Sequence, residues 1–226
     1  MRQLHFPEDE IVGTLRWPGS GADDGGPVLA TGVVEVPENA DVSLSVGRVE
    51  SVERHGPAKG PDWIRTYATW RGEPVVELRG TRSWTLHMNN DSPLDLSFLR
   101  ALPNDSFGSL DVVSARVVPE SLNALTHLAA GLRDLSLGFD DFEDGVLQHV
   151  AQLVNMVRLQ TWGNRFTDEG VQQLASLQAL ETLRLEDENL SMAAFDFVTK
   201  LPLLTHLGGP PQYRLALRER FPGLVL

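Results

Sequence analysis

The stretch FTDEGVQQLASLQALETLRL, Phe166 to Leu185, decides how the chain is read. Its first half places Val171, Leu174 and Leu177 three residues apart, which suits one face of a short helix. Its second half places Leu180, Leu183 and Leu185 in the spacing of a short strand and the turn before it. Neither element can bury its apolar side alone.

The same pattern recurs on both sides. Leu180, Leu183, Leu185 and Leu190 lie 24 residues after Met156, Leu159, Thr161 and Phe166, which lie 24 after Leu132, Leu135, Leu137 and Phe142. A step of 25 leads back to Phe107, Leu110, Val112 and Val117, with the extra residue in Ala129-Ala130-Gly131. Forward, Leu204 and Leu207 follow before Gly209-Pro210-Pro211 breaks the series. The helical half repeats as Leu122, Leu125 and Leu128; Leu147, Val150 and Leu153; and Phe195, Val198 and Leu201. So many positions in one register predict stacked strand–helix units sharing a continuous core. Asn164 stands where an amide can bridge backbone groups of adjacent units, with Ala115, Asp140 and Glu188 as its counterparts. Thr167-Asp168-Glu169 stands where a helix start gains from a cap and from negative charge.

Before about residue 90 the texture differs. Val34-Glu35-Val36, Val42 to Val46, Val76-Glu77-Leu78 and Trp84-Thr85-Leu86 alternate at period two between Gly/Pro-rich separators. This half reads as antiparallel β.

The units between about 107 and 207 resemble a leucine-rich repeat array, and Phe166 to Leu185 is similar to the short TDEGL-type units of bacterial members of that family. The ending Leu217 to Leu226 resembles the helix and strand that close such arrays. The resemblance implies a right-handed solenoid, with a parallel sheet on its concave face and helices on its convex face. It also implies a role in binding proteins, without naming a ligand. The expected division is a small N-terminal antiparallel β domain and cap over 1–90, four to five repeats over 91–211, and a C-terminal cap over 212–226. Residues 92–106 (Leu94, Leu96, Leu99, Leu102) read as a degenerate first unit.

Outward positions of the strands define the candidate binding residues: Asp134, Phe139, Arg158, Gln160, Trp162, Arg184, Glu186 and Asp187. Phe139 and Trp162 fall on adjacent units, flanked by Arg158 and Arg184, and these residue types are enriched at binding hot spots. The rings have two readings: anchors at an interface, or side chains packed onto a neighbouring unit or under the β half.

The 226 residues include no cysteine and carry a net charge of −12. That excludes disulfides, thiolate metal sites and a cysteine nucleophile, and the sign is wrong for gripping a nucleic acid. No apolar run approaches the ~18 residues of a membrane span, and the start MRQLHFPEDE has no apolar signal region. A cytoplasmic protein is expected. Residues 1–90 carry nine Lys/Arg and thirteen Asp/Glu, leaving −8 of the −12 on the repeats. The acids Asp140, Asp141, Glu143, Asp144, Asp168, Glu169 and Glu186 to Glu188 lack the spacing of a calcium loop and read as charges at helix starts.

The six histidines show no metal-ligand spacing, the Gly-rich loops lack a P-loop end, and no G-x-S-x-G elbow occurs. No enzyme, metal or cofactor is expected. The expected function is recognition of another protein on the concave face, for example as an immunity or inhibitor protein covering a basic toxin or nuclease. The alternatives are a scaffold subunit, or a carbohydrate-binding or hydrolytic β half in which Asp62 or Glu77 converges with His55 or His87. Oligomeric state is not legible.

Overall fold

In the computed structural model, residues 1–17, 28–46, 93–113 and 115–226 are described in full, and 49–57, 63–68, 74–79 and 82–88 as strands only. The chain is mixed α/β, with small antiparallel sheets and a larger, mostly parallel one.

The repeat strands are β10 (Ser109–Val113), β11 (Asp134–Gly138), β12 (Arg158–Trp162), β13 (Thr182–Glu186) and β14 (His206–Gly208). Each pairs in parallel with the next, in the register that the sequence period demands: Leu110↔Leu135↔Leu159↔Leu183↔Leu207. These leucines, with Val112, Leu137 and Leu185, point inward and are buried. Thr161 interrupts the second inward column and is buried as well.

Between strands run short helices. Two are α-helical, α1 (Gly145–Val150) and α2 (Asp168–Val171), while Pro119–Leu128, Gln172–Ser176 and Met192–Lys200 are 3-10. The spacing, common to every unit, suits the tighter form. Apolar residues three apart, such as Leu122, Leu125 and Leu128, drift around an α-helix of 3.6 residues per turn but line up on a 3-10 helix of three. Side chains tie each helix sideways to its neighbour: Arg100 to Asn123 Oδ1, Ser176 to the Ala151 carbonyl, and Gln172 to the Ala194 carbonyl.

The larger sheet does not begin at β10. β5 (Ser43–Val46) pairs in parallel beside it, Leu44 on Leu110 and Val46 on Val112, and so extends both inward columns. β2 (Gly13–Arg16) then runs antiparallel against β5, and β3 (Val28–Leu29) against β2. β4 (Val33–Val36) pairs instead with β1 (Arg2–His5) in a two-stranded sheet. Turn residues 37–40 therefore join strands of different sheets. β5 goes to β10 because Leu44 and Val46 have the same spacing as Leu110 and Val112.

Val112 and Val117, Leu137 and Phe142, Thr161 and Phe166, and Leu185 and Leu190 are each five positions apart. From Val46 to Leu94 the separation is 48. Leu94 nevertheless bridges Val117 in parallel and leads into a 3-10 helix, Leu96–Ala101, as the later units do. The first unit is thus β5 plus that helix, with 43 residues inserted where other units have a short loop. Loop entropy grows only slowly with length, so a long insertion costs little. This one leaves from the C-terminal end of β5 and contains four strands: β6 (Val49–Pro57), β7 (Trp63–Ala68), β8 (Pro74–Arg79) and β9 (Arg82–Met88). They form their own antiparallel sheet in the order β6-β9-β8-β7.

At the other end, Val225 bridges His206 in parallel. Helix α3 (Arg214–Arg220) buries Leu217 over Gly209 and the Phe195 ring, where a side chain on Gly209 would collide with both. No helix among the described residues is long and apolar enough to cross a membrane.

Candidate recognition face on the parallel sheet

The loops after the strands set the site, and buried polar bonds hold them. Asn164 does bridge units: its Nδ2 donates to the Leu137 carbonyl, 3.1 Å away, and to the Trp162 carbonyl. Asp140 makes the corresponding bridge in the preceding unit, its Oδ1 accepting the Arg116 N–H at 2.6 Å. In the following unit the role falls to Asp187, one residue before the expected Glu188, which is exposed.

Asp187 is therefore not on the outward face, contrary to expectation. Its side chain is buried and accepts the Asn164 N–H at 2.8 Å, the Asn164 amide at 3.1 Å and the Thr161 hydroxyl. The reason is backbone conformation. At the equivalent positions of the two preceding units, Phe139 and Gly163 adopt left-handed φ values of 57° and 67°. Asp187 does not, so its side chain turns under the loop. Burial pushes its carboxyl above the usual carboxylate range, against the bonds from Thr161 and Asn164 that pull it down.

Asp144 stands at the N-cap of α1, and Asp168 and Glu169 in the first turn of α2, but two of these acids have a further use. Thr167 caps α2, its Oγ1 accepting the Gly170 N–H at 3.1 Å. Asp144 and Asp168 also serve the following unit. Asp144 accepts the Thr167 N–H at 2.9 Å and its hydroxyl at 2.6 Å, and Asp168 accepts the Ser191 N–H at 2.8 Å and its hydroxyl. Among the described residues, no group of three or more side chains is placed to hold a metal ion.

The other seven candidate residues come together across β11, β12 and β13 and the loop after β11. Trp162 is half-buried, its indole lying flat on Gly138 of the neighbouring strand, where an added Cβ would collide with the ring. Phe139 lies over Gly163 in the same way, 2.5 Å from where a Cβ would be. The rings meet edge to face, with centroids 6.2 Å apart and planes at 80°. Despite that seat, Phe139 is 64% exposed. Around the rings, Arg158 lies 3.6 Å from Asp134 and Arg184 3.2 Å from Glu186. Gln160 stands between the two pairs, flanked in register by Ser136 and Arg184. Burial raises the Asp134 carboxyl, Arg158 lowers it, and nearby Asp41 and Asp111 raise it further.

Ser136, Gly138 and Gly163 belong to this face but were not among the sequence candidates. The signal was present as a glycine in an outward column facing an aromatic in the next unit. Asp62 lies outside the described residues, as do the side chains of His55, Glu77 and His87. No family model matches the chain, and no curated protein matches it.

Proposed function

We propose that the chain is a leucine-rich-repeat solenoid that recognises a partner protein, without catalysis, through the outward face of β11–β13. The lack of cysteine suits work in the reducing cytoplasm. One observation carries the reading: Phe139 occupies a left-handed backbone position that the next unit gives to glycine, yet leaves most of its ring in solvent. A left-handed L-residue costs about 1–2 kcal/mol. An edge-to-face contact returns about 0.5–1.5 kcal/mol beyond the area it buries, and a residue 64% exposed buries little. Folding alone gives little reason to keep a phenylalanine there, whereas an exposed aromatic beside a tryptophan and two arginines has the composition of a hot spot.

Phe139→Gly separates the two roles. Its stability to urea is expected to stay within about 1 kcal/mol of wild type, since relief of the backbone offsets the lost ring contact. A partner captured by the wild-type chain is expected to bind at least about 30-fold more weakly. Trp162→Ala should lose the same partner. Retained capture by both variants, or a large loss of stability in Phe139→Gly, would show the rings to be structural.

A further inference from the structure

We infer that the partner segment seated on this face is uncharged: an extended stretch that lays an apolar side chain on the Phe139–Trp162 pair and hydrogen-bonds through its main chain to Ser136 and Gln160. This rests on the recognition reading above and adds the chemistry of what is recognised.

Charge and free hydrogen-bonding groups both point to such a segment. Nine outward positions cover the three strands: Asp134, Ser136 and Gly138 on β11, Arg158, Gln160 and Trp162 on β12, and Thr182, Arg184 and Glu186 on β13. Two acids and two arginines are among them, so these nine positions carry no net charge within a chain of net charge −12, while Asp111 of β10 stands in register beside Ser136 at their edge. Both acids already face a guanidinium, Asp134 at 3.6 Å and Glu186 at 3.2 Å. A lysine arriving from a partner meets a carboxylate already shared with an arginine, and an arriving carboxylate meets the reverse. Either gains little attraction and must still give up its own water.

The uncharged groups are different. Among the described residues, the Ser136 hydroxyl and the half-buried Gln160 amide have no hydrogen-bond partner, although the two face each other across β11 and β12. An amide side chain presents both a donor and an acceptor, which is what a peptide unit of an extended segment requires. Covered by a partner without being paired, these groups would cost affinity, so they select a partner that can pair them. Beside them, two residues on along β12, stands Trp162. A strand advances about 6.6–6.8 Å over two residues, the same interval at which an extended segment offers side chains on one side. Polar pairing at Gln160 and an apolar anchor at Trp162 therefore fit a single extended segment.

The test pans a phage-displayed library of random peptides about twelve residues long against the full chain, with Phe139→Gly as counter-selection. Selected peptides are expected to carry an aromatic or aliphatic anchor and no net charge. As synthetic peptides, they should change affinity less than about twofold between about 50 mM and about 500 mM NaCl, because no unmatched charges are screened. Gln160→Ala should weaken them about five- to tenfold, within the range of one lost hydrogen bond. Ring-dependent peptides rich in lysine and arginine, weakening steeply with salt, would overturn this inference while leaving the recognition reading in place. Peptides that bind Phe139→Gly as well as wild type, or no selected peptides at all, would overturn the recognition reading itself.

Discussion

Asp187→Ala is expected to lower stability by about 3 kcal/mol, or about 6–12 °C in melting temperature for a chain of this size. The carboxylate is buried and accepts from the Thr161 hydroxyl, the Asn164 N–H and the Asn164 amide. Truncation leaves the hydroxyl and the N–H buried without acceptors, at about 1–2 kcal/mol each. Asn164 would keep the Leu137 and Trp162 carbonyls, so the bridge between units weakens without vanishing. Asp187→Asn should behave oppositely, because an asparagine can still accept from the Asn164 N–H and donate to Thr161.

The pH dependence gives a second check on this residue. Burial raises the folded-state value for Asp187 above its unfolded one, so the folded chain holds the proton more tightly. Its contribution to stability is largest at acidic pH, where both states are protonated, and is lost as pH rises through the folded value. Asp187→Asn, fixed in the neutral form, should match wild type only below the ordinary carboxylate range and gain on it as pH rises above that. Parallel pH profiles of unfolding free energy for the two proteins would refute this assignment.

The period of 24 made the strand register legible because every outward and inward column repeats with it, from Leu110 to Leu207. What stayed hidden lay where the period was interrupted or shared. β5 has the inward pair Leu44 and Val46, but Leu94 comes 48 positions after Val46 rather than five, so residue counting cannot join the halves of that unit. The outward face was legible as columns, though not in its depth. Whether Trp162 stands up or lies flat depends on Gly138, a residue of the adjacent unit that looks ordinary alone. Asp187 escaped for a related reason. Its direction follows from a loop lacking the left-handed turn of the two preceding units, and only Thr161, a polar residue in an inward column, hinted at a buried partner.

The acidity also takes on a different meaning. By sequence, much of the −8 on the repeat half reads as charge at helix starts. Asp144 and Asp168 do stand at helix starts, yet Asp140, Asp144, Asp168 and Asp187 all accept backbone N–H groups of the adjacent unit, each some 23 or 24 residues away. Carboxylates are suited to this because one group can accept an N–H and a hydroxyl together, as Asp144 and Asp168 do. These four carboxylates thus serve stacking and lie off the outward face of β11–β13.

Gly170 offers the sharpest test of that stacking role, through a change of sign. Glycine inside α2 costs about 1 kcal/mol relative to alanine, so Gly170→Ala on helix propensity alone should stabilise. The Asp144 carboxyl forbids it: an added Cβ would collide with both its Oδ1 and its Cγ. The methyl must push Asp144 off Thr167, breaking bonds of 2.9 and 2.6 Å that join the two units. In the wild-type background the substitution is therefore expected to destabilise by about 2 kcal/mol, set by the two charge-assisted bonds less the propensity gain. With Asp144→Ala already in place there is nothing to collide with, and Gly170→Ala should stabilise by about 0.5–1 kcal/mol. Urea unfolding of the four proteins gives a coupling of about 3 kcal/mol if the carboxylate is the obstacle. Additive effects would mean that Asp144 can move aside at no cost, and that the bond to Thr167 does not hold the units together.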